Sequence, residues 1–221
     1  MNKSRPLVNY SGMNDDVFER FISFCHRREH PKKTAIIQPG DDADTLYYVL
    51  EGSAFVWVDE VDGHEFIIAN LSRGDFIGEA GFFEPLEKRG VNVQTRSNCQ
   101  LAGISYTRLH ALLENELEDI SKDIIFALAK QLSQRLVHTS QKAGHLAFLD
   151  VAGRIARTLI DLSEEPEAMT HPEGMQISIT RQDIGRMVGC SREMAGRVLK
   201  GMVQEGSIEV AGKSIVIKNL D

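Results

Sequence analysis

Between Thr34 and Ser105 the apolar residues come in short alternating or β-branched runs, Leu46–Leu50, Ala54–Val58 and Phe66–Ala69 among them. Gly40, Gly52, Gly63 and Gly74 punctuate these runs at intervals of 12, 11 and 11 residues. Short strands with a turn signal at that pitch predict an antiparallel sandwich or barrel, such as a jelly roll. A β-domain that binds no ligand fits the same pattern.

The period changes after about Thr107. From there to His145 no proline occurs and only Gly144 breaks a helical composition. Ile125, Leu128, Leu132, Thr139, Ala143 and Leu146 follow a 3-4 spacing, with Arg135 at the seam position between them and Leu136 beside it. A stripe of this length predicts a helix that pairs with a second copy of the chain, packing against the β-domain being the alternative. Arg135 and Thr139 on that seam require polar partners, because a buried polar group without a hydrogen bond costs free energy. Leu146–Asp150 leads into a second helical stretch from Val151 to Leu162. A polar loop carrying Pro166, His171, Pro172 and Gly174 then reads as a hinge and linker into a smaller C-terminal domain.

The strongest local signal runs from Arg181 to Lys200. Two helices cross steeply only where a small residue sits at their contact, which Gly185 supplies, and Gly189 tolerates the positive φ of a tight turn. Ile184, Val188, Cys190, Ala195 and Val198 place apolar side chains on the face the two helices share. Ser191 is placed to N-cap the second helix, with Met194 rather than Glu at the capping-box position. That leaves Arg192, Glu193 and Arg197 facing outward. Arg suits the guanine O6/N7 edge and Glu accepts from cytosine N4. Thr180, Arg181 and Gln182 open the first helix, where phosphate contacts are favoured. Ser207 to Ile217 reads as a hairpin turning at Ala211–Gly212, so the expected module is a winged helix-turn-helix. An ordinary helical hairpin with a solvated Arg face is the competing reading.

Composition sharpens this picture in one respect. The 221 residues carry a formal net charge of -7, which is unusual for a DNA binder, yet binding depends on local patches rather than on the total. Arg181 to Lys200 holds five basic residues (Arg181, Arg186, Arg192, Arg197, Lys200) against Asp183 and Glu193. Cys25, Cys99 and Cys190 lie far apart without a CxxC pair, so buried free thiols are expected rather than a metal or cluster site. The first residues lack an apolar signal region and no apolar run reaches bilayer length, which predicts a soluble, cytoplasmic protein with no membrane contact. A metal-dependent cupin-type enzyme would need clustered His and Glu on facing strands. The β region offers only His64, and GxSxG, HExxH and P-loop motifs are absent, so neither an enzyme nor a metal site is expected.

These segments together resemble the cyclic-AMP receptor/FNR family, most of all its cyclic-AMP receptor branch. The likeness spans about residues 20–219 and is dense in Phe76–Glu84, Leu146–Val151, Ala168–Gln176 and Ile179–Lys200. It implies an α+β protein in three parts: a cyclic-nucleotide-binding antiparallel β jelly roll with an N-terminal helix (1–118), a dimerisation helix and hinge (119–149), and a winged helix-turn-helix (150–221). In the effector pocket the family's pattern places Gly78, Glu79, Arg89, Gly90, Arg135, Thr139 and Ser140. Glu79 would accept from a ribose 2′-hydroxyl, Arg89 would pair with the cyclic phosphate and Arg135 would hold Glu79. Thr139 would reach the adenine within one subunit and Ser140 the adenine of the other. DNA contacts would come from Thr180, Arg181, Gln182, Ser191, Arg192, Glu193, Arg197 and Lys200.

The resemblance further implies a homodimer on a palindromic double-stranded operator, with cyclic AMP as effector and the RNA polymerase α subunit as partner. Ala168, Thr170, His171, Glu173 and Gly174 would touch that subunit's C-terminal domain, and His26, Arg28 and Arg108 its N-terminal domain. Three departures stand out. Gly90 replaces the family's usual Ser, Leu117–Asp123 is lengthened, and Met194 stands where Thr is common. The first two are similar to the related xanthomonad-type regulators, which makes cyclic di-GMP the alternative effector.

Overall fold

The computed structural model describes residues 12–59 and 65–218, and divides into two compact units. Gly63 and His64 lie outside the described residues. The first unit comprises residues up to Val56 and Ala69–Val137, the second Trp57–Ile68 and His138 onward.

Helix α1 (Asp15–Ser23) precedes strands β1 (His26–His30), β2 (Ala35–Ile37), β3 (Thr45–Glu51), β4 (Ala54–Asp59), β5 (Glu65–Leu71) and β6 (Phe76–Ile77), with β4 beyond Val56 and β5 before Ala69 counted in the second unit. A short helix α2 (Glu79–Phe83) follows, then β7 (Asn92–Thr95), β8 (Cys99–Ser105), α3 (Tyr106–Glu114), a 3₁₀ turn at Glu118–Ile120 and the long helix α4 (Ser121–Phe148). Two four-stranded sheets form, ordered β1-β8-β3-β6 and β2-β7-β4-β5. Strand period 2 explains why β3 has no solvent face. Val49 joins Leu101, Val56 and Val93 in the core between the sheets, while Leu46, Tyr48 and Leu50 face the helices. Against that second face pack Phe18, Phe21 and Ile22 of α1, Leu109 and Leu112 of α3, and Ile124 and Leu128 of α4.

Three sequence expectations need correction here. Leu128 is not a seam residue: it is fully buried in its own chain's core, whereas Leu136 is 69% exposed. The helical stretch is also broken. It stops at Glu114, turns at Asn115–Leu117 and restarts at Ser121, with Arg20 of α1 donating to both carboxylate oxygens of Asp119 at 2.7 and 2.9 Å. The lengthened Leu117–Asp123 segment is therefore a turn strapped to α1 rather than extra helix. Of the three thiols only Cys99 is buried, and Cys25 and Cys190 are half-buried. Burial nevertheless pushes the Cys25 thiol up to about 12, which leaves it without thiolate character at neutral pH.

The second unit holds α5 (Val151–Ser163), β9 (Met169–His171), β10 (Gly174–Ser178), α6 (Arg181–Val188), α7 (Arg192–Gln204), β11 (Ile208–Ala211) and β12 (Ser214–Lys218). Asp150 N-caps α5, accepting from Gly153 N–H at 2.8 Å. Ile155 and Leu159 of α5, Ile184 and Val188 of α6, Ala195 and Leu199 of α7, and Ile215 of β12 are buried. The expected linker is instead structured. Met169–His171 and Gly174–Ser178 pair across a two-residue turn at Pro172–Glu173, within a sheet ordered β11-β12-β10-β9. The wing turns at Gly212–Lys213, one residue later than expected, since Ala211 pairs with Ser214 and Gly212 takes φ 64°. Among the described residues no helix is long and apolar enough to cross a membrane.

Candidate nucleic-acid interface and effector site

Helices α6 and α7 meet where Gly185 lies: a Cβ there would come within 2.6 Å of the Cys190 carbonyl oxygen. Any side chain at this position would push the helices apart. Gly189 ends α6 in the left-handed region at φ 67°, a conformation that costs an L side chain strain. Ser191 then caps α7, accepting from Met194 N–H at 3.2 Å. Thr180 caps α6 in the same way, accepting from Asp183 N–H at 3.0 Å while its hydroxyl donates to the Asp183 carboxylate at 2.6 Å. These two hydroxyls, expected at the DNA, serve first to start the two helices.

The outward faces of α6 and α7 form an open depression lined by Arg181, Arg192, Glu193, Gly196, Arg197 and Lys200. Four cations surround one carboxylate, and Gln182 is exposed beside them. Such a surface suits a polyanion. Gly196 was not singled out from the sequence. It lies on α7 where the Arg181 side chain passes, 3.6 Å from the place of a Cβ, and only packing between the helices reveals it. Arg186, counted in the basic run, does not line the depression. Its side chain is 16% exposed and pairs with Glu65.

In the first unit, polar side chains of α4 bind the backbone of β6. Gln131 Oε1 accepts from Phe76 N–H at 2.6 Å, and Gln131 Nε2 donates to the Phe76 carbonyl at 3.0 Å. Arg135 donates to the same carbonyl at 2.6 Å and to Glu79 Oε1 at 2.5 Å. The polar partner that Arg135 required thus lies within its own chain. Glu79 is 4% exposed, and its second oxygen, Oε2, is buried with no hydrogen-bond partner among the described residues. A buried carboxylate oxygen in that position is an acceptor waiting for a donor.

Arg89 is buried beside this pair, with both terminal nitrogens engaged. Nη1 donates to the Tyr106 hydroxyl at 2.9 Å and Nη2 to the Thr45 carbonyl at 2.5 Å, while Tyr106 donates to the Gly78 carbonyl at 2.5 Å. Burial pushes the Tyr106 phenol above its usual range, against the opposing pull of Arg89. Glycine is required at the contact: a Cβ on Gly78, at φ 89°, would lie 2.6 Å from Arg89, and one on Gly81 would lie 2.8 Å from the Tyr106 oxygen. Tyr106 escaped the sequence reading, although two glycines three residues apart hinted that a large group approaches them. Gly90 is exposed and a Cβ there would meet nothing within 4 Å. Thr139 and Ser140 are exposed on α4, beyond Arg135.

Of the residues expected to meet RNA polymerase, His26 and Arg28 alternate along one face of β1, and the Arg108 guanidinium stands 6.0 Å from the Phe24 ring. Thr170 and Glu173 are exposed on the β9–β10 hairpin, Ala168 and His171 are half-buried, and Gly174 is buried. Lys218 approaches Glu173 at 3.6 Å. No cluster of three or more His, Cys, Asp or Glu able to hold a metal occurs among the described residues.

Residues 27–116 match the model of the cyclic nucleotide-binding domain, and residues 153–221 that of the Crp-like helix-turn-helix domain. The CRP-like protein Clp of Xanthomonas oryzae pv. oryzae is 48% identical over 199 residues, 90% of this chain and 86% of Clp. The chain belongs to the CRP-like transcription regulators. This CRP-like regulator has the same identity to Clp of Xanthomonas campestris pv. campestris. The solved structure of CLP, described as the c-di-GMP responsive global regulator of Xanthomonas campestris, superposes with a TM-score of 0.87 at 46% identity, covering 94% of this chain and all of that one. A CRP/FNR-family regulator of Thermus thermophilus shares the fold, with a TM-score of 0.72 at 23% identity over 88% of this chain and 94% of that one. The relatives of this chain are transcription regulators of the CRP family rather than enzymes.

Proposed function

We propose that the protein is a homodimeric, sequence-specific DNA-binding regulator that holds its operator without a nucleotide and releases it on binding cyclic di-GMP. The observation that carries the effector reading is the state of Arg89. Both its terminal nitrogens are committed to Tyr106 and Thr45, and neighbouring Gly90 has no hydroxyl to offer a phosphate. A cyclic-AMP phosphate would have to share a guanidinium already held by those two bonds, using the N–H groups they leave over, and the likeness to the c-di-GMP responsive CLP points the same way. Leu136, with Thr139, Ala143 and Leu146, is exposed on α4 and supports pairing with a second copy through a helical seam. Two copies would set recognition helices in successive major grooves, with half-sites roughly 34 Å apart on a palindromic duplex. Arg192, Glu193 and Arg197 would read bases, and Arg181, Gln182 and Lys200 would hold phosphates. The β9–β10 hairpin and the His26, Arg28, Arg108 face are its contacts with the RNA polymerase α subunit. Such a regulator works in the cytoplasm, where its DNA is.

A second reading, activation by cyclic AMP, is favoured by Glu79. Its buried, unpaired Oε2 beside Arg135 fits a ribose hydroxyl, and Thr139–Ser140 match the adenine-contacting pair of that branch. Anisotropy of a labelled palindromic duplex, at fixed salt, separates the two. Ligand-stripped protein is expected to bind alone, to lose about tenfold or more in affinity with cyclic di-GMP, and to ignore cyclic AMP. A requirement for cyclic AMP overturns the first reading. Because position 90 is open to a side chain, Gly90→Ser is expected to fold normally and to raise cyclic-AMP affinity by about fivefold, the worth of one added hydrogen bond. Equilibrium dialysis of the two proteins measures this, and an unchanged affinity shows that the phosphate does not reach residue 90.

A further inference from the structure

Arg186 points away from the DNA-facing depression and into a cluster built within the second unit. Its Nε lies 2.8 Å from Glu65 Oε2, in ionic contact rather than an aligned hydrogen bond. Its guanidinium carbon stands 5.2 Å from the centre of the Trp57 ring, and Nη1 approaches Asp183 at 3.5 Å. A largely desolvated guanidinium between carboxylates and an aromatic face is held more strongly than an exposed one. Neighbouring contacts hold the same hairpin segment. Lys142 of α4 donates to the Ile67 carbonyl at 2.5 Å and sits 4.7 Å from the Phe66 ring centre. Burial holds Lys142 down at about 8, against the pull of Asp161. Gly189, in the turn between α6 and α7, brings the place of its Cβ within 3.9 Å of Phe66.

Strands β4 and β5 are continuous through this segment. Their other ends, Ala54–Val56 and Ala69–Leu71, belong to the first unit, where Ala54, Val56 and Leu71 lie in the core between the sheets. Covalent connection thus joins the residues that grip α6 to strands of the first unit's core.

We propose that Trp57, Glu65 and Arg186 form a clasp that transmits the effector state to the helix-turn-helix, Arg186 acting as a positioning residue and not as a DNA contact. The transmission half rests on the effector reading above; the clasp itself does not. Trp57 is the chain's single tryptophan and is 9% exposed, so its emission reports the clasp directly. In the full-length protein, Glu65→Gln and Arg186→Met are each expected to raise acrylamide quenching of Trp57 by about twofold or more, as the ring loses its cover. Quenching unchanged in both variants overturns the clasp. Operator anisotropy with and without cyclic di-GMP tests transmission. In Glu65→Gln the ratio of the two affinities is expected to fall toward one by about fivefold or more, with the salt dependence of binding kept because no phosphate contact is lost. If Arg186→Met lowers the salt slope by about one unit while Glu65→Gln keeps the wild-type ratio, Arg186 is a phosphate contact and the proposal falls. If the wild type ignores cyclic di-GMP, the effector reading and the transmission half fall with it, and quenching alone decides the clasp.

Discussion

Replacing Arg192 and Arg197 together with Ala is expected to erase the difference in affinity between a palindromic operator and an unrelated duplex. Both side chains are exposed on α7, among the groups lining the cationic depression. Neither takes part in the α6–α7 core of Ile184, Val188, Ala195 and Leu199, so far-UV circular dichroism and thermal unfolding should stay as in the wild type. Each bidentate Arg–guanine contact discriminates by about 1–3 kcal/mol. Losing two in each protomer therefore costs roughly 2–6 kcal/mol per half-site, about thirtyfold at the least. Arg181 and Lys200 would still attract phosphates, so non-specific binding should persist with its steep salt dependence. A footprint retained by the double variant would remove base reading from α7 altogether. The contrasting substitution, Lys200→Ala, is expected to weaken both duplexes alike, since a phosphate contact carries no sequence information.

The second large effect lies in the effector unit. Arg135→Met would leave the Glu79 carboxylate, 4% exposed, without the guanidinium that holds it, and would leave the Phe76 carbonyl with Gln131 as its one remaining side-chain donor among these contacts. Breaking a buried pair by removing one partner costs about 3–5 kcal/mol, because the remaining charge is stranded. Arg135 is 27% exposed at the side chain, which admits some solvent and places the expected loss near the lower end, about 3 kcal/mol. Adding Glu79→Gln removes the stranded charge, so the double variant should be more stable than Arg135→Met alone. Urea unfolding of the four proteins gives the coupling. If Arg135→Met unfolds at the wild-type midpoint, the pair does not hold α4 against β6. On the cyclic-AMP reading, the same variants should also lose cyclic-AMP binding in dialysis, since the Glu79 Oε2 acceptor would no longer be held in place.

How far these sites were legible in the sequence differs between the two units. The helix-turn-helix is a local object. Its caps, its turn glycine and its close-contact glycine lie within one stretch of chain, and each residue type has a single physical use there. Gly185, Gly189 and the Ser191 cap could be assigned as a set for that reason, whereas the capping role of Thr180 was missed: its hydroxyl accepts from Asp183 N–H before any phosphate arrives. The effector site is not local. Glu79 and Arg135 were joined through family resemblance, and the structure pairs them. Tyr106 carries no pattern of its own, and its role emerges from what Gly78 and Gly81 leave room for.

Helix α4 shows the limit most clearly. Its heptad spacing announced an apolar stripe but could not say which surface covers it. The helix has two faces with partners to find: Ile124, Leu128, Gln131 and Arg135 turn to the chain's own sheet, while Leu136 stays exposed. Periodicity fixes the angle between side chains around a helix axis, and carries no information on what lies opposite. Charge behaves likewise. Arg186 counted toward a basic run as long as only neighbours along the chain were considered, yet its carboxylate and its aromatic ring come from a distant hairpin. By itself the sequence determined the sandwich, the long helix and the winged helix-turn-helix, because period, capping and turn chemistry act over a few residues. Which apolar face is spent internally, where Arg89 and Arg186 find their partners, and which cations are left for DNA were decided only when the tertiary structure brought remote groups within a few ångströms, where desolvation and ion pairing take effect.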